Sequence, residues 1–109
     1  MIAAIFEVEL IPGQQENYLS IAADLRPLLH KIDGFISIER FQSLSNSERL
    51  LSLSLWRDED SLRIWRNAEA HREAQEIGKA KIFENYRIIV TKVIRDYGMK
   101  QRPLTPRAQ

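Results

Sequence analysis

The two ends of the chain, Ile2–Leu10 and Phe83–Ile94, both alternate with a period of two and both carry apolar residues on either side of that pattern. Ile5 and Ile11 stand opposite Phe6 and Val8, and Ile89 and Val93 stand opposite Ile88 and Val90. Successive residues of a strand point to opposite faces of a sheet, so strands of this kind need cover on both faces. The rest of the chain supplies one covering layer.

That layer is legible from the spacing between the strands. Pro12-Gly13 closes the first strand, after which Tyr18, Ile21, Ala22, Leu25, Leu28, Leu29 and Ile32 recur at three and four residues, the stripe of an amphipathic helix that stops at Asp33-Gly34. Pro27 falls inside the pattern and should kink or divide the helix near Arg26. Phe35–Ser43 and Arg49–Trp56 alternate as strands about the polar loop 44–48, an antiparallel hairpin. Asp58 is placed to cap a second helix, with Glu59 and Asp60 in its acidic first turn and Leu62 and Trp65 on one face. This helix extends, with a break allowed, to about Gly78.

The resulting order is βαββαβ, an α+β ferredoxin-like arrangement in which two helices cover one face of a four-stranded antiparallel sheet. Residues 1–98 form one domain, and Met99–Gln109, with Pro103 and Pro106, a tail that cannot continue the sheet. The uncovered face predicts a homodimer, since a sheet face packed on its twin reaches the ~800 Å² per partner of a specific interface.

Composition removes several function classes. Sixteen Lys and Arg against fifteen Asp and Glu give a net charge of +1, no field for nucleic acid or anionic lipid. With no cysteine, thiolate catalysis and Cys-based metal sites are excluded. Glu7 and Glu9 arrive too early for a signal peptide and no apolar run reaches membrane-spanning length, so the expectation is a cytoplasmic protein that spans no membrane.

The element order, the tryptophans Trp56 and Trp65 and the following His71 resemble the antibiotic biosynthesis monooxygenase family of dimeric α+β barrels, over roughly Ile2–Tyr97. The most telling stretch is Leu53-Ser54-Leu55-Trp56-Arg57-Asp58-Glu59-Asp60-Ser61-Leu62-Arg63-Ile64-Trp65, a strand ending in Trp that feeds an acidic helix start. Members oxidise polycyclic phenols or quinols without metal or flavin, degrade heme, or keep the fold without an assigned activity. For the heme-degrading branch the resemblance expects an Asn on the first strand, the second-helix Trp, and a His ten residues further on. Only Trp65 matches: position 75 is Gln75 and Ile2–Leu10 contains no Asn. In the cofactor-free branch a deprotonated phenol or enol passes an electron to dioxygen, and the protein supplies polar groups, shape and exclusion of water.

The resemblance therefore implies an oxygenase acting on a small aromatic or quinol-like compound in a pocket between sheet and helices. His71 would be its proton acceptor or hydrogen-bond donor, Trp65 a flat wall, and Asn67 and Gln75 would orient a substrate oxygen. Arg40 and Arg87 would hold an anionic oxygen if they faced inward, edge ion pairs being the plainer role. The plainer roles of Trp65 and His71 are core packing and a surface or capping position. His30, at a helix end, is a local partner of the helix dipole. Ser52 and Ser54 share one face of their strand with no base nearby in sequence, which makes a hydrolase nucleophile improbable. The alternative from another class is a non-catalytic or stress-related dimeric domain that binds a small molecule.

Overall fold

A computed structural model describes residues 1–100. The elements are β1 (Ile2–Leu10), α1 (Gln15–Leu29), β2 (Phe35–Gln42), β3 (Arg49–Trp56), α2 (Glu59–Asn67), α3 (Glu69–Ile77) and β4 (Phe83–Lys92), with a π-helical turn at Gly78–Ile82 between α3 and β4. The strands form one antiparallel sheet in the order β2-β3-β1-β4. This is the expected ferredoxin-like α+β fold. The tail expected to meet a partner falls mostly at residues 101–109, outside the described residues.

The even-numbered residues of β1, Val8 and Leu10 among them, point to the helices, while Glu7 and Glu9 point away and pair with Arg87 and Arg49. Two apolar clusters fix the helical layer to the sheet. One gathers Ile2, Leu29, Trp56, Leu62 and Trp65. The other gathers Val8, Leu10, Tyr18, Leu50 and Ile82. Burial at a few kcal/mol per large side chain makes these two clusters the main source of stability.

Three local readings are corrected. Pro27 does not divide α1: it sits in the last turn, where the helix ends two residues later at Leu29, so few hydrogen bonds remain for the ring to disrupt. Leu28, assigned to the buried stripe, is exposed. The last strand ends at Lys92, short of Ile94.

The second helical region is broken at Ala68, whose extended backbone (φ −63°, ψ 137°) both ends α2 and begins α3. Upstream, Asp58 caps α2 as its position predicts, accepting hydrogen bonds from the Ser61 N–H at 2.8 Å and the Ser61 hydroxyl at 2.7 Å. Gly34 turns α1 into β2 at φ +93°, and a Cβ there would run into the Ser61 hydroxyl.

Candidate functional site

The site lies between the two clusters, where the sheet floor changes character. Register pairing places Arg40, Ser52, Phe6 and Ile88 in one row across β2-β3-β1-β4, and Ile38, Ser54, Ala4 and Val90 in the next. Both rows face the helices. Small residues at Ala4, Ala22, Ser52, Ser54 and Gly78 leave the space above them unfilled. The result is a cavity of about 150 Å³, partly open to solvent.

Its walls are mainly apolar, and their ionisable members are of one kind. Arg26, Arg40, Arg66 and His71 line the cavity, together with Tyr18, and among the described residues no Asp or Glu does. Arg26 and Arg66 are exposed and stand at the rim. The Arg40 Nε is buried and has no hydrogen-bond partner. The Ser54 hydroxyl, by contrast, is committed: it accepts from the Trp56 indole N–H at 2.9 Å and donates to the Ala4 carbonyl at 3.3 Å.

Trp65 reaches the cavity from α2 and His71 from α3, with ring centroids 4.9 Å apart and planes inclined by 43°. The His71 Nδ1 lies 3.5 Å from the Arg66 carbonyl, a weak contact that suits Nδ1–H as donor and leaves Nε2 as acceptor. Burial of the imidazole pushes its pKa below the ordinary 6.5; the Arg66 carbonyl opposes that shift, and the Arg66 charge adds to it. The neutral imidazole is thus the form of His71 present at pH 7.

Of the other residues singled out in the sequence, Gln75 and Arg40 line the same cavity as Trp65 and His71. Asn67 is exposed and does not line it. Arg87 faces the opposite side of the sheet, bound to Glu7 at 2.8 Å. His30 stands at the end of α1 with its ring edge-on to Phe35. Sequence reading missed Arg26 and Arg66, which look like ordinary solvent-facing helix residues, and the place of Ser52 and Ser54 in the cavity floor. A signal for the serines existed: β3 alternates Leu with Ser, and two small polar residues on a core-facing side leave room. Among the described residues no group of three or more His, Asp or Glu is placed to hold a metal ion, and no helix is long and apolar enough to cross a membrane.

Known proteins share both the sequence and the fold. Residues 1–77 match the family described as Antibiotic biosynthesis monooxygenase. A jasmonate monooxygenase of Pyricularia oryzae is 48% identical over 93 residues, which cover 85% of this chain and 43% of that relative. The chain therefore spans less than half the length of that fungal enzyme. A Deinococcus radiodurans structure assigned to the antibiotic biosynthesis monooxygenases superposes with a TM-score of 0.81 at 10% identity, over 93% of this chain and all of the other. A conserved protein from Methanosarcina mazei Go1 gives 0.76 at 21% identity, over 84% and 90% of the two chains. At such identities the structures speak for the fold, and the sequence match carries the family: this chain belongs to the antibiotic biosynthesis monooxygenase family.

Proposed function

We propose that this chain is a monooxygenase acting on a small, largely apolar molecule whose deprotonated form passes an electron to dioxygen, without metal or flavin. The observation that carries this reading is the Trp65–His71 pair: a flat apolar wall beside a partly buried, neutral imidazole, both lining one cavity. His71 takes the proton from a substrate O–H or from a C–H next to a carbonyl. Trp65 lies along the ring, and Gln75 orients the oxygen. Excluding water keeps the resulting anion reactive towards dioxygen.

Two substrate types are consistent with this chemistry. In an anthrone-like ring system a CH₂ becomes C=O, and in a phenol the ring C–H para to the hydroxyl does so as the hydroxyl becomes the second C=O. In each case dioxygen supplies the new oxygen and leaves its second atom as water, and the substrate provides all the electrons. Jasmonate, named for the Pyricularia oryzae relative, offers a ring ketone with acidic neighbouring C–H bonds. Its hydroxylation needs two further electrons and two protons from an external reductant. The test is dioxygen uptake by the purified chain with anthrone, and with jasmonic acid in the presence and absence of ascorbate, under ¹⁸O₂ with mass detection of product. Incorporation of one ¹⁸O atom is the expected result. Ligand binding without any uptake would instead favour a non-catalytic binding domain.

The same reading includes a homodimer through the face of the sheet turned away from the helices. There β3 presents Leu51, Leu53 and Leu55, flanked in register by Ile5 and Ile89. On this face Ile89 is 37% and Phe41 45% exposed, a cost in water that a second copy would remove.

A further inference from the structure

We infer that Arg40 is an anion anchor and that the cavity takes a small amphipathic monocarboxylate, with the carboxylate at Arg40 beside Ser52 and the apolar body over Phe6 and Ile88. The inference builds on the cavity being a ligand site, as in the function proposed above, and is independent of the oxygen chemistry.

The first support is the Arg40 guanidinium itself. Its Nε is buried without a hydrogen-bond partner, and buried donors are almost always satisfied. A guanidinium is permanently charged, so the deficit cannot be relieved by losing a proton. Among the described residues the ion pairs engage Arg49, Arg57, Arg63 and Arg87, and none reaches Arg40. The charge is thus left without a neutralising partner, which a ligand carboxylate set against the cavity-facing side of the guanidinium supplies.

The second support is the distribution of charge. The chain holds fifteen Asp and Glu, yet among the described residues the cavity wall contains three arginines and no carboxylate. Arg26 and Arg66, exposed at the rim, favour the approach of an anion. His71 is held neutral and so does not compete for the charge.

The third support is the row in which Arg40 stands. Ser52 is directly opposite Arg40, then Phe6, then Ile88, with side chains about 5 Å apart from strand to strand. The floor thus runs from charged through hydroxylic to apolar, the profile of a molecule with one anionic end. A multiply charged phosphate would leave most of its oxygens against apolar walls.

The experiment compares 1-naphthylacetate with its uncharged methyl ester, by calorimetry and by quenching of tryptophan fluorescence, on the whole chain at pH 7.5. The wild type should bind the acid at least tenfold more tightly than the ester. Arg40→Gln should lose at least tenfold for the acid and leave the ester unchanged, while Ser52→Ala should lose less. Equal binding of acid and ester by the wild type, binding of neither, or an acid preference surviving in Arg40→Gln would overturn the inference. Should Arg40→Gln fail to fold by circular dichroism, Arg40→Lys decides, with a several-fold loss for the acid expected and an unchanged affinity overturning it. Dioxygen uptake is read separately. Acid preference without turnover removes the monooxygenase reading alone, and turnover without acid preference removes this one alone.

Discussion

The Trp65 indole and the His71 imidazole sit 4.9 Å apart, centroid to centroid, although they belong to different helices. Residues six apart on a continuous α-helix point about 120° away from each other, at 100° per residue. The extended backbone of Ala68 resets the direction of the chain between them and brings both rings to one cavity.

If His71 is the base, replacing it with Gln should keep the fold and slow dioxygen uptake by about 10²–10⁴-fold, the usual contribution of a positioned general base. The purified variant, assayed beside the wild type with anthrone, checks this. Loss of less than a few-fold would remove His71 from the chemistry.

The pH profile tests the same residue differently. Burial favours the neutral imidazole, so the folded-state pKa lies below 6.5. The working form is the free base, and activity should therefore hold down to pH 6.5 and fall only at lower pH. That acidic limb should vanish from the residual activity of His71→Gln. A limb centred above 6.5 would contradict the assignment.

For the outer face, Leu53→Asp places a charge at the centre of the row Glu39, Leu53, Ile5 and Ile89. The wild type should run as a dimer in light scattering, and the variant should fall towards the monomer mass of 12.7 kDa at micromolar concentration. A wild type that is already monomeric there would refute the dimer.

Gly34→Ala should cost roughly 2 kcal/mol or more of stability, because a left-handed backbone and a collision add together. The backbone is at φ +93°, and the new Cβ would lie 2.7 Å from the Ser61 Cβ. Chemical denaturation measures the loss.

Asp58→Ala should lower the melting temperature by a few degrees at pH 7. The hydrogen bonds from Ser61, with Arg57 adding to them, hold the Asp58 carboxyl at about 2, below its ordinary 3.8. A lowered acid pKa stabilises the fold above the ordinary value, and that stabilisation is lost as pH falls towards 2. The gap between variant and wild type should accordingly narrow from pH 4 down to pH 2.

Much of this molecule could be read locally. Period-two and helical spacing located the strands and α1, and Asp58 marked the start of α2, because these depend on contacts within a few residues. The segment from Leu53 to Trp65 also carried the family. The greasy second face was foreseen from the end strands, but its centre proved to be β3. There the leucines turn outward and the serines inward, because register with β1 and β2 fixes the parity.

Alternation showed that Leu51, Leu53 and Leu55 share a face; it could not choose which. Nor could sequence spacing foresee that Ala68 would break the helix so as to join Trp65 to His71, or that Arg40 would face the cavity while Arg87 found Glu7 on the other side. Each of these was decided by neighbours distant in sequence, since a cavity is defined by the walls of several elements at once. The sequence by itself determined the strands, α1, the start of α2, their order and the family; the tertiary structure decided where the second helical region breaks and which side chains meet.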